Sequence, residues 1–252
     1  MSRLIKYFFL SLSIFLCYSI SYGFSLKFWK ANKEYKVSEG YGAIGFGKQK
    51  EELYGLNSFL VKYGFSKIDD KLNIFSSGGI GIINNRFILA GFGFATSDIY
   101  LYNDSLYINY QEGNGEFSVG YKILEYKGYR VFPMFGIVGG TKSMVIQPYN
   151  TIATQTLDDV FEKPSFNSIV INNYIAGIFS VYNILSFEVL KEKKSDKINK
   201  FITGVALRGG VIYYFSNNWK KIDNINLIPI ENDDYKLFVT LEVLIGGASF
   251  YK

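Results

Sequence analysis

Histidine is absent from all 252 residues, and cysteine occurs once, at Cys17. Without an imidazole, Ser-His-Asp and Cys-His nucleophile systems, His-ligated metals and a histidine pH switch are all excluded. Cys17 lies in an apolar N-terminal stretch that reads as removable, so the processed chain has no thiol for disulfides, zinc or thiolate catalysis. Beyond that stretch no run approaches eighteen uninterrupted apolar residues, which excludes helical membrane spans. A strong charge of either sign is missing too. The 27 Lys+Arg against 22 Asp+Glu give +5, and removing Arg3 and Lys6 with the leader leaves 25 against 22, or +3. So mild and dispersed a surplus is no footprint for nucleic acid. With Pro only 4 and no fixed-length repeat or Pro/Ser-rich linker, one domain is the simplest account of the processed chain.

What the chain has instead is aromatics at 18% and 25 glycines. Residues 1–23 read as an export signal. Arg3 and Lys6 supply the charged start, Tyr7 to Ile20 the apolar stretch, and Ser21-Tyr22-Gly23 small residues at the first and third positions before a cut. The domain is then residues 24–252. Residues around Cys17 lack the small residues of a lipidation site.

Alternation of apolar and polar residues dominates from there on. In Lys236 to Ile245 every odd position is aliphatic, while the even ones include Lys236, Thr240 and Glu242. Only a period-two structure sorts residues in this way. Segment 201–215 sets Phe201, Val205, Leu207, Val211, Tyr213 and Phe215 against Gly204, Ala206, Arg208 and Gly210. Segment 116–126 sets Phe117, Val119, Tyr121 and Ile123 against Glu116, Ser118, Gly120 and Lys122, and segment 166–188 sets Ile171, Ile175, Phe179 and Val181 against Asn172, Tyr174, Ser180 and Tyr182. Further strands are expected near 37–48, 73–84, 86–96, 105–112, 129–138 and 143–155. Asn84-Asn85, Gly113-Asn114, Lys127-Gly128 and Gly139-Gly140 read as tight turns, because their residues tolerate positive φ. Glu51 to Phe65 departs from the pattern: Leu53, Leu56, Leu60 and Tyr63 recur at helical spacing, which predicts a short amphipathic helix serving as a cap, plug or lid. The lysine-rich run from Glu188 to Lys200 reads as a solvated loop, with a phosphate- or lipopolysaccharide-binding patch as the alternative.

Alternating strands suit a soluble sandwich or barrel with its apolar face inward, or a membrane barrel with that face outward toward lipid and polar, charged and small residues in the lumen. Three features favour the second. The polar faces carry isolated charges of both signs among small residues, which makes Glu116, Lys122, Arg130, Arg208, Lys236 and Glu242 the lumen-facing candidates. Aromatics crowd the strand ends, at Tyr100, Tyr102, Tyr107, Tyr126, Tyr129, Tyr213, Tyr214, Phe215, Trp219, Phe250 and Tyr251, as interfacial girdles require. The last strand pattern runs to Phe250-Tyr251-Lys252.

In its leader, its alternating segments and its aromatic-rich last strand the sequence resembles the small outer-membrane β-barrels of Gram-negative bacteria. That resemblance implies an all-β, single antiparallel up-and-down transmembrane barrel, here of about ten strands with eight as the alternative, both termini on the periplasmic side. Such proteins finish on an aromatic residue read by the assembly machinery, whereas here Lys252 follows Tyr251. The implied location is the outer membrane, with its lipids and lipopolysaccharide as surroundings and an extracellular ligand bound by the loops.

Chemistry is weakly signalled. The acidic pairs Asp69-Asp70, Asp158-Asp159 and Asp233-Asp234 fall in expected loops, where such residues form turns. Gly40 to Gly47 is no phosphate loop, since no Lys-Ser/Thr opens a helix after it; alternate glycines in a strand suit a crowded lumen or a bend. No enzyme, cofactor or metal is therefore expected. The expected role is structural or adhesive, or that of a narrow porin-like pore, and the alternative is a soluble periplasmic or secreted barrel holding a hydrophobic ligand.

Overall fold

The computed structural model describes residues 36–148, 168–194, 197–221 and 234–251. The expected export signal, residues 149–155 of the strand expected at 143–155, residues 166–167 of that expected at 166–188, Asp158-Asp159 and Asp233 lie outside the described residues. The strands are β1 (Lys36–Lys50), β2 (Lys71–Ile83), β3 (Phe87–Thr96), β4 (Ile99–Tyr102), β5 (Leu106–Tyr121), β6 (Leu124–Tyr126), β7 (Tyr129–Pro148), β8 (Ser168–Lys194), β9 (Lys197–Lys221) and β10 (Tyr235–Tyr251), with one helix, α1 (Tyr54–Lys62), between β1 and β2.

Every pairing is antiparallel, and eight strands close a ring in the order β5-β3-β2-β1-β10-β9-β8-β7, with β7 returning to β5. The short β4 continues the line of β3 along β5, and β6 continues β5 along β7. Closure removes the free edges that an open sheet would present to lipid. A circuit of paired residues runs Tyr129, Leu185, Val205, Val243, Ile44, Ser77, Gly93, Gly115 and back to β7 at Gly139, ten residues from its start. At about 3.3 Å per residue and about 4.7 Å between strands, that stagger tilts the strands by roughly 40°, and an eight-stranded interior is just wide enough to be filled by side chains.

Ten expected segments become eight staves because two of the expected turns are strand. Segments 105–112 and 116–126 join through Gly113-Asn114 in β5, and 129–138 and 143–155 join through Gly139-Gly140 in β7. The glycines meet across the pair, Gly115 opposite Gly139 and Asn114 opposite Gly140. A side chain at Gly140 would collide with the Tyr174 ring, so this glycine clears space for a lumen residue rather than bending the chain. The other two turns form as expected, with positive φ at Asn84 (51°), Asn85 (55°), Lys127 (46°) and Gly128 (85°). With eight strands, 84–85 and 127–128 lie on the same rim. The charged run 188–200 is not a loop: β8 and β9 extend through it to Lys194 and Lys197, with a bulge between Glu188 and Leu190.

Polarity is inverted relative to a soluble barrel. Along β10, Val239, Leu241, Val243 and Ile245 are exposed while Lys236, Thr240, Glu242 and Leu244 are buried. Ile44 (74% exposed), Phe46, Phe75, Phe117, Phe135, Ile137 and Leu207 continue the outward belt around the ring. A contiguous apolar girdle of this kind is untenable in water but native in hydrocarbon. This overturns the soluble alternative, which needs those aliphatics inside. Of the expected girdle aromatics, Tyr100, Tyr102, Tyr126, Tyr213 and Phe215 are exposed, whereas Tyr214 and Trp219 point inward and are buried.

Candidate functional site

The interior is built from inward positions that alternate with the belt, and it is drier than a lumen of polar, charged and small residues. Ile74, Ile82, Ile88, Phe92, Phe94, Phe132, Met134, Tyr182, Phe238 and Leu244 form its main cluster. Charged groups are set into this cluster at three levels.

At the middle level Arg208, from β9, is fully buried and pairs with Glu116 of β5. Its Nε and Nη2 donate to Ser180 Oγ at 3.2 and 3.1 Å, and its guanidinium lies 4.8 Å from the Phe92 ring centroid and 5.3 Å from that of Phe238. Glu242 of β10 is equally buried and accepts from Tyr182 OH (2.5 Å), Thr240 Oγ1 (2.9 Å) and Ser76 Oγ (3.3 Å). Gly45 leaves room for it, since a Cβ there would sit 2.5 Å from Glu242 Cγ. Gly40 and Gly42, by contrast, crowd no side chain, so alternate glycines in β1 mark lumen packing only in its second half.

Toward the loop-bearing rim, Lys236 pairs with Glu112 and Lys142 with Glu51. Tyr174 OH donates to Glu112 (2.7 Å), Gln49 Nε2 donates to the same carboxylate (2.6 Å), and Tyr214 OH donates to Glu51 (3.0 Å). Toward the turn rim, Arg130 Nη1 donates to Glu39 (2.6 Å) and Nη2 to Tyr41 OH (2.8 Å), while Lys122 pairs with Glu125. Among low-dielectric surroundings buried charges need partners: Arg208, Lys236, Lys142 and Arg130 each meet a carboxylate from across the barrel, Glu242 is held by hydroxyls, and Lys122 meets Glu125 three residues on.

Of the six candidates, Glu116 and Arg208 meet each other directly. Glu242 joins their level through Tyr182, Lys236 belongs to the level above, and Arg130 and Lys122 to the one below. Lys142, Glu112, Glu51 and Glu39 are not among the sequence candidates; Tyr174 and Tyr182 are on the polar face in the sequence reading without being candidates, and Tyr214 is there a girdle residue. The turn expected at Gly139-Gly140 leaves Lys142 between strands, and the one expected at Gly113-Asn114 makes Glu112 the last residue of a strand beside a turn.

Above the upper level lies α1. Leu53, Leu56 and Leu60 pack on Leu101, Ile108, Tyr110, Met144, Val170 and Trp219, the inward faces of β4, β5, β7, β8 and β9 near that rim. Asn57 fixes the returning chain, its Nδ2 donating to Ile68 O (3.0 Å) and its Oδ1 accepting from Ile68 N (2.8 Å). The helix is thus a lid over the mouth, and Tyr63, expected on the same face, is exposed instead. Asp69 is a turn former whose Oδ1 accepts from Lys71 N at 2.9 Å. Among the described residues no group of three or more acidic side chains is placed to hold a metal ion.

An antiparallel closed barrel with a greasy exterior and paired charges inside is an outer-membrane β-barrel, and its place is the Gram-negative outer membrane. No family model matches the chain, and no curated protein matches it in sequence. Solved structures that it matches include Ail, the attachment invasion locus protein of Yersinia pestis (TM-score 0.43, 9% identity, covering 83% of this chain and 98% of that one). The same protein in complex with the heparin analogue sucrose octasulfate gives 0.42 at the same identity and coverage. The outer membrane protease OmpT from Escherichia coli gives 0.28, with 9% identity over 87% of this chain and 97% of that one. The class assignment stands on the barrel's own polarity.

Proposed function

We propose that this is a closed, non-conducting outer-membrane barrel that works at its loop-bearing rim, in adhesion or recognition, and carries no catalysis. One observation supports it above others: at each level the lumen is spanned by a buried cation bound to a carboxylate from across the barrel, and the mouth above is covered by α1. A conducting path would need hydrated charges along a continuous opening, whereas Arg208, Glu242 and Lys142 are at most 1% exposed. The six sequence candidates then serve to fill and lock the interior. The same rim receives the 51–70 segment and the strand ends joined by 149–167 and 222–233, so ligand contacts fall there.

Planar bilayer recordings on the full chain test the sealed lumen. Expected are traces without discrete steps. Steps that shift on Arg208→Gln or Glu242→Gln would overturn the reading in favour of a narrow pore. An epitope inserted between Ser66 and Lys67, both exposed, is expected to be stained on intact cells; staining only after permeabilisation would overturn the orientation.

A further inference from the structure

Outward positions of β1 and β2 change character abruptly near the loop-bearing rim. Phe46 and Phe75 face each other across the pair and are 63% and 59% exposed, as belt residues should be. One step further along the same outward face stands Lys48 opposite Asn73, and one step beyond that Lys50 opposite Lys71. Lys48 and Lys71 are exposed, and among the described residues neither ammonium has a hydrogen-bonding or ionic partner; Lys50 has only Glu52, at 3.6 Å and largely in solvent. Like charges set directly opposite on a sheet repel and destabilise the pair. At the described ends of β5, β7 and β8 the outward residues are uncharged: Gln111, Thr141 and Asn173. Lys48, Lys50 and Lys71 thus form a cluster on β1 and β2, directly above an apolar wall.

We propose that Lys48, Lys50 and Lys71 bind the phosphate of an outer-leaflet lipid headgroup, whose acyl chains lie on Phe46 and Phe75 below. The proposal rests on the outer-membrane reading and adds a located ligand to it. Continuity of the basic cluster with the apolar wall is what selects a lipid over a soluble anion, because one amphiphile satisfies both surfaces. Cations near an anionic lipid surface each contribute to binding, so three acting together produce a measurable effect.

The test uses the full-length barrel refolded in detergent micelles, with diphosphorylated lipid A as the probe and retained lipid counted by native mass spectrometry. Retention by the wild type is expected to fall at least about tenfold in the triple variant Lys48→Gln/Lys50→Gln/Lys71→Gln. It should persist in the triple Lys→Arg variant and in Lys127→Gln/Lys191→Gln, which alters the other rim. Equal retention by the triple Gln variant overturns the proposal, as does equal loss in the other-rim control. Displacement of lipid A by equimolar inorganic phosphate overturns it in favour of a free-anion site. Should the Gln variant fail to fold, the wild type decides alone: dephosphorylated lipid A retained as well as the diphosphorylated form overturns the site. A boiled-versus-unboiled mobility shift that survives in all variants shows the barrel standing even where the lipid site falls.

Discussion

Within β10 the two faces of residues 236–245 obey different rules. Outward, Val239, Leu241, Val243 and Ile245 meet a fluid solvent of hydrocarbon, which asks only for apolarity. Inward, Lys236, Thr240 and Glu242 each meet a named partner: Glu112 for Lys236, and for Glu242 the hydroxyls of Tyr182, Ser76 and Thr240 itself. The outer face is therefore interchangeable and the inner face specific, because lipid rearranges around any apolar shape while a packed lumen does not.

Removing one member of an inner pair is the sharpest way to test that difference. Arg208→Ala leaves Glu116 buried without its cation and is expected to cost about 3–5 kcal/mol, read as a lowered urea midpoint in micelles. On the outer face, Leu241→Arg near the middle of the belt should cost about 2–4 kcal/mol in lipid vesicles, and far less at the belt's edge. If Leu241→Arg is neutral, the belt does not contact hydrocarbon. Replacing both inner partners, as in Arg208→Met/Glu116→Leu, should restore most of the loss from Arg208→Ala, since a buried ion pair and an apolar pair of similar volume are close in energy. A double variant as unstable as the single one would show that the charges hold the barrel by more than mutual neutralisation. The smallest effect belongs to the turns. Asn85→Ala, at φ 55°, is expected to cost about 1 kcal/mol, while Gly113→Ala, in extended strand, should change the urea midpoint little.

That last contrast shows where sequence reading succeeded and where it ran out. Asn-Asn and Lys-Gly mark turns because their residues accept positive φ, and they do so here. Gly113-Asn114 and Gly139-Gly140 carry the same local signal inside extended strand, and of these glycines only Gly140 has a packing reason, clearance for the Tyr174 ring of the adjacent β8. Splitting β5 and β7 at those points gave two staves too many and hid Glu112 and Lys142. The helix at 54–62 was legible from its leucine spacing, but which of cap, plug or lid it forms depended on the inward faces of β4, β5, β7, β8 and β9.

By itself the sequence determined the class of architecture. Period-two alternation with aliphatics on one face, together with the lack of histidine and of long apolar runs beyond the N-terminal stretch, marks an all-β chain without imidazole chemistry. It also determined which residues of each strand share a face, since side chains alternate whatever the neighbours. Tertiary structure alone decided the number of closing strands, the ten-residue stagger, the carboxylate that each of Arg208, Lys236, Lys142 and Arg130 meets and the packing of α1 on the inward faces near the loop-bearing rim. Those depend on which strands lie opposite each other across a closed ring, and periodicity within one strand carries no information about what stands on the far wall.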